Sequence, residues 1–199
     1  KIYAMKSIVD DYYSASGGTL HPIGVPKEVY PSYKDNFEFL DDITKLADGI
    51  YAIPHRNILE LTKIGERAKL YKKIEGEYMP DDFEHELSLV FDTEEGLVIF
   101  NSCSHGGVVN IIEDVREYFG EDRVIKGFVG GLHMKGKLGE KEICTFSESK
   151  IEALAQYCKD NNVHKLYTGH CTGSVGYELI KKYMEDRVEY IYTGREIDI

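Results

Sequence analysis

The chain has 199 residues, 42% of them hydrophobic, and a formal net charge of −11 from 24 Lys and Arg against 35 Asp and Glu. That length suffices for one domain with its own core, and residues 1–199 are read as a single domain. An acidic chain with scattered basic residues argues against an extended nucleic-acid surface, and no apolar run reaches the length of a membrane span.

Lys1 to Met5 reads as a strand already under way, followed by a short helix near Ser7 to Tyr13 and a Gly- and Pro-rich loop from Gly17 to Pro31. Phe37 to Leu40 and Ile50 to Ile53 are short strand candidates. Leu87 to Phe91 and Leu97 to Phe100, joined by a turn at Thr93 to Gly96, read as a β-hairpin. Val108, Ile111, Ile112, Val115 and Phe119 then recur at helical spacing. Strands near Val124 to Val129, Val163 to Thr168 and Val188 to Tyr192 alternate with two further helices. The first runs near Ser147 to Asn161, with Ser149 and Glu152 set for a capping box and Ile151, Leu154, Ala155 and Cys158 on one face. The second carries Val175, Leu179, Ile180 and Tyr183. The second half is thus a layered α/β arrangement.

Three loops stand out because each follows a strand and delivers a histidine. They are Asn101-Ser102-Cys103-Ser104-His105-Gly106-Gly107, Val129-Gly130-Gly131-Leu132-His133-Met134 and Tyr167-Thr168-Gly169-His170-Cys171-Thr172-Gly173. Open α/β sheets gather ligands at the carboxyl ends of their strands, and imidazole is the commonest metal ligand. His105, His133 and His170 are therefore candidates for one site, whereas His164, His21 and His55 are read as carrying no special role. Cys103 and Cys171 are each open to two readings, a thiolate ligand or a small residue packed under the site. His85 enters the hairpin and can be brought back beside its exit, while Asp81, Asp82 and Glu86 around it are read as a solvated turn. Gly106 and Gly107 open a helix whose free amides could take a phosphate near Gly107 and Asn110. The four cysteines fit neither a disulfide framework nor a zinc finger, Cys158 belongs to the core, and the setting is read as reducing and cytoplasmic.

The run His85-Glu86-Leu87-Ser88-Leu89, then Gly96 to Phe100, then Cys103-Ser104-His105-Gly106-Gly107 resembles the central part of the metallo-β-lactamase-fold hydrolases. Gly130-Gly131-Leu132-His133 and Thr168-Gly169-His170-Cys171-Thr172-Gly173 narrow the likeness to the branch named for 7,8-dihydropterin-6-methyl-4-(β-D-ribofuranosyl)aminobenzene-5′-phosphate synthase. The resemblance implies an αβ/βα sandwich and a metal site of zinc or a similar divalent ion, two ions in a complete protein. On it His105, His170, His85 and Cys103 match metal ligands, while His133, Gly107, Asn110 and Thr172 are the expected substrate contacts. The branch's His-x-His-x-Asp-His signature is not in these residues. The resemblance therefore implies a sandwich without its N-terminal part, weak metal binding by this chain alone and an apolar sheet face left open.

The expected function is that of a metal-dependent hydrolase acting on a small, phosphorylated, pterin-related substrate through a metal-activated water. Its rivals are a non-catalytic ligand-binding or regulatory protein on the same fold and a nuclease. The acidic composition weighs against the last. A small molecule is the expected partner, with no nucleic acid and no membrane; the oligomeric state is left open.

Overall fold

The structure, a computed structural model, describes residues 1–56 and 69–199. In chain order its strands are β1 (Ile2–Met5), β2 (Tyr12–Ser14), β3 (His21–Pro22), β4 (Phe37–Leu40), β5 (Thr44–Ala47), β6 (Ile50–Pro54), β7 (Leu70–Ile74), β8 (Glu77–Pro80), β9 (Leu87–Thr93), β10 (Gly96–Phe100), β11 (Ile125–Val129), β12 (Lys135–Leu138), β13 (Lys141–Cys144), β14 (Leu166–Thr168) and β15 (Val188–Tyr190). Its α-helices are α1 (Val29–Tyr33), α2 (Val108–Phe119), α3 (Glu148–Asp160) and α4 (Gly173–Met184). The main sheet has seven strands in the order β15-β14-β11-β10-β9-β6-β5. Strands β10, β11, β14 and β15 run parallel, each joined to the next through a helix, and β9 and β10 form the antiparallel hairpin read from the sequence.

Alternation along these strands sorts their side chains onto two faces. Val90, Leu97, Ile99, Phe128 and Leu166 face the helices. They share one core with Ile111, Ile112 and Val115 of α2, Ile151, Leu154 and Cys158 of α3, and Ile180 and Met184 of α4. The opposite face carries a smaller cluster of Val98, Val129 and Tyr167, packed with Phe91, Ile191, Ile197 and Ile199. Beside it opens a cleft of about 800 Å³ whose wall includes Tyr3, Leu89, Phe100, Ile191, Asn101 and His170. No helix among the described residues is long and apolar enough to cross a membrane.

Two local expectations are corrected. The stretch Ser7 to Tyr13 is not a helix: a 3₁₀ turn over Lys6–Val9 hands over to β2, and the Tyr12 hydroxyl reaches back to Ser7 O at 2.8 Å. Pairing with β3 and β7 fixes these tyrosines in a strand, which aromatic side chains favour. The start of α3 is capped by Ser147, whose Oγ accepts from Lys150 N at 3.3 Å, so Ser149 and Glu152 lie inside the helix. A Ser147→Ala chain is expected to lose about 1 kcal/mol of stability, the usual worth of a serine cap. Urea unfolding would register this as a lower midpoint at unchanged slope, and an unmoved midpoint would show that the cap contributes nothing.

Candidate metal centre

Because β10, β11 and β14 are parallel neighbours, the loops at their carboxyl ends come together at one edge of the sheet. They are tied by main-chain bonds. Asn101 N donates to Val129 O at 3.0 Å, Gly131 N to Ser102 O at 2.8 Å and Gly130 N to Tyr167 O at 2.9 Å. The approach is so close that a Cβ on Gly130 would sit 2.1 Å from Asn101 O, and one on Gly131 would sit 2.4 Å from Cys171 Sγ. Each loop also holds a non-glycine residue with left-handed backbone: Ser104 at φ 54°, His133 at φ 50° and His170 at φ 49°. Phe83, at φ 58°, adds a fourth beside them. Such conformations cost energy and persist where the surroundings over-determine them, most often at functional sites.

At the meeting point Cys103, His170 and Cys171 offer one donor atom each, all within 4.8 Å of one another. His170 Nε2 lies 3.2 Å from Cys103 Sγ, and the Cys171 thiol lies 3.5 Å from Cys103 O and accepts from His133 N at 3.3 Å. A hydrogen bond from Cys171, and others from His105 and Ser102, outweigh burial and pull the Cys103 thiol down to about 3. Cys171 is pushed the other way, because the neighbouring Cys103 sulfur and burial both favour its neutral thiol. His105 gains basicity: burial opposes its charge, but the Cys103 hydrogen bond and the charges of Glu86, Cys103 and Asp81 prevail. His133 drops to about 4, through burial and then the repulsion of His105. It is thus a neutral imidazole at pH 7, its buried Nδ1 without a hydrogen-bond partner and its ring 4.5 Å from that of His105.

This donor set suits a zinc-type ion. Two sulfurs and an imidazole are soft to borderline donors, and their mutual spacing fits metal bonds of about 2.0–2.3 Å. Three donors from the described loops leave room in a tetrahedral site for a further ligand, from a protein side chain or from water. The electrostatics also predict a readable chemistry. In metal-free protein Cys103 is expected to react with iodoacetamide at nearly constant rate from about pH 8 down to about pH 5. An ordinary thiol slows about tenfold per unit over the same span. Cys171 should stay unmodified throughout. Peptide mapping after timed alkylation checks both, and a tenfold fall per unit at Cys103 would refute its lowered thiol.

The residues singled out from the sequence are distributed unevenly here. Cys103 and His170 are together. His105 joins through its bond to Cys103 and stacks on Phe83, ring centroids 5.4 Å apart. His85 lies to one side, with its ring 4.3 Å from that of Tyr12 and its Nδ1 3.8 Å from Asp81 Oδ1. Gly107 caps α2 at φ 98°.

The phosphate place expected near Gly107 and Asn110 is closed. Asn110 is fully buried with its Nδ2 on Gly106 O at 2.6 Å. Nearby, the amides of His105 and Gly106 are taken by the Glu86 carboxylate at 3.0 and 3.2 Å. Thr172 is likewise buried, bonded to Thr168 Oγ1 at 2.5 Å and to Leu132 N at 2.8 Å. Asp81 and Glu86, read as a solvated turn, are buried, because they satisfy loop amides that would otherwise be orphaned. Cys171, open to either reading in the sequence, lies in the cluster with Cys103.

The overall arrangement superposes on the crystal structure of Tm1679, a metal-dependent hydrolase of the β-lactamase superfamily. The TM-score is 0.79 at 24% identity, over 99% of this chain and 70% of that one. The chain has the metallo-β-lactamase fold. In sequence it is 31% identical over 128 residues to the 7,8-dihydropterin-6-methyl-4-(β-D-ribofuranosyl)-aminobenzene-5′-phosphate synthase of Methanocaldococcus jannaschii. That match takes in 64% of this chain and only 40% of the synthase's length. No protein-family model matches the chain. The fold and the synthase-branch likeness read from the motifs are both found.

Proposed function

We propose that the chain contributes the metal-binding loops of a metal-dependent enzyme acting on a small, phosphorylated, pterin-related substrate. The observation that carries this is the Cys103, His170 and Cys171 donor set at the strand ends of a metallo-β-lactamase fold. Cys103 and His170 would hold a divalent ion, and Cys171 would join them as a thiolate. The ion would supply Lewis acidity for a phosphoryl oxygen or an attacking water. His105 balances the Cys103 thiolate, and neutral His133 offers its unpartnered nitrogen to the ion or the substrate. The solvent-exposed side is that of His170, so substrate reaches the centre from there. A reducing cytoplasm would keep both thiols available.

The substrate class comes from the synthase relative, whose named product joins a dihydropterin to a ribofuranosyl aminobenzene phosphate. That name describes a condensation, whereas the fold neighbour is named a hydrolase. One experiment separates them. The zinc-loaded chain is given a phosphorylated dihydropterin with and without an arylamine, and phosphate release is followed. Release without arylamine marks hydrolysis, and release only with it marks condensation. Calorimetry showing neither metal nor pterin binding would overturn the proposal.

A further inference from the structure

His55, Ser88 and Asp114 lie on β6's exit, β9 and α2, yet form one buried chain of hydrogen bonds. His55 Nδ1 is 3.1 Å from Asp114 Oδ2, and His55 Nε2 is 2.8 Å from Ser88 Oγ. The order is that of a serine-hydrolase triad, but Ser88 and His55 are each 1% exposed and cannot meet a substrate. The chain instead continues inward. Asn101 Nδ2 donates to Ser88 Oγ at 2.9 Å, and Asn101 Oδ1 accepts from Ser104 N at 2.9 Å and Ser104 Oγ at 3.3 Å. Its far end is therefore the left-handed turn directly after Cys103.

The proton order of this chain is fixed by its single-purpose members. Ser104 N–H can only donate, so Asn101 turns its oxygen toward it. Leu87 O, 3.4 Å from Asn101 Nδ2, can only accept, which agrees. Asn101 thus donates to Ser88, and the arrangement that leaves the Ser88 hydroxyl proton a partner within this chain has Ser88 donating to His55 Nε2, with the His55 proton on Nδ1 facing the Asp114 carboxylate. Every bond points the same way, from Ser104 to Asp114, the arrangement in which buried hydrogen bonds polarise one another.

We infer that Asp114, His55, Ser88 and Asn101 form a one-directional relay that positions the Cys103 turn against His170. His55 and Ser88 are positioning residues, not catalytic ones. The inference rests on the proposed metal centre for its functional consequence but not for its geometry. Outer groups that orient metal ligands typically matter about 10–100-fold in affinity.

The test uses the full chain and two variants, Ser88→Ala and Ser88→Thr, the second keeping the hydroxyl. Nitrogen-15 NMR of the wild type should show the His55 proton on Nδ1. Ser88→Ala should lower Co²⁺ affinity about tenfold, followed by the thiolate-to-cobalt absorption band, and speed hydrogen exchange at the Ser104 amide. Ser88→Thr should restore both. A His55 proton on Nε2 overturns the relay. So does wild-type cobalt affinity and Ser104 protection in Ser88→Ala, or a Ser88→Thr chain that behaves like Ser88→Ala. Failure of the wild type to take up cobalt overturns the metal centre instead, and the tautomer and exchange results then decide the relay alone.

Discussion

A Cys103→Ser chain is expected to bind zinc about two to three orders of magnitude more weakly than the wild type, since a protein ligand in a thiolate–imidazole site carries roughly 3–4 kcal/mol of the total. Serine is nearly isosteric, but its hydroxyl does not ionise near neutrality and is a poorer donor for a borderline-soft ion. The substitution also removes the partner of His170 Nε2, 3.2 Å away, and the sulfur that holds the Cys171 thiol neutral. His105→Ala gives the contrast. His105 reaches the cluster through a hydrogen bond to Cys103, so its loss should cost only about tenfold, as for an outer group. Zinc competition against a chromophoric chelator measures both. Equal losses would make His105 a direct donor and restore the ligand set inferred from the motifs.

The elements legible in the sequence are those whose burial writes a period. Helix α2 shows its apolar face at Val108, Ile111, Ile112 and Val115, all buried, and the β9–β10 hairpin shows apolar runs, Leu87 to Phe91 broken only by Ser88 and Leu97 to Phe100 unbroken. The hairpins β7–β8 and β12–β13 were not read, and their residues explain why. Leu70–Ile74 and Glu77–Pro80 are half-buried to exposed, as are Lys135–Leu138 and Lys141–Cys144, so neither carries a hydrophobic alternation. The turn of the first is Glu75-Gly76, at φ 50° and 92°, without the Asn or Asp that usually announces it.

The site was half legible for a similar reason. Cys103 and His170 sit in loops whose glycines and strand–helix context are local signals. Glu86, 19 residues from His105, and His55, 33 residues from Ser88, act on partners that only the sheet order brings near. Nothing in the local sequence of His55, beside Pro54, marks it as other than a loop residue.

A Gly130→Ala chain should be the most destabilised single substitution among the site loops. The added Cβ would meet Asn101 O at 2.1 Å and the Asn101 carbonyl carbon at 3.0 Å, and both are backbone atoms that cannot turn aside. Relief requires β10 and β11 to separate at their carboxyl ends, where Asn101 N bonds Val129 O and Gly130 N bonds Tyr167 O. Overpacking of this kind costs about 3 kcal/mol. For a chain of this size that lowers the melting temperature by roughly 6–12 °C. Gly131→Ala makes the informative partner. Its Cβ would meet the Cys171 sulfur at 2.4 Å, a side chain that can move, while the nearest backbone atom, Ser102 O, lies at 3.1 Å and has to give by only a few tenths of an ångström. It should therefore melt closer to the wild type while losing metal affinity, because the displaced sulfur is one of the three candidate donors. Calorimetric melting of both metal-free variants, paired with zinc titration, separates the two effects. If Gly130→Ala melts with the wild type, the close crossing of the Asn101 and Gly130 loops is not what holds the strand ends together. If Gly131→Ala binds zinc as the wild type does, Cys171 is not a ligand.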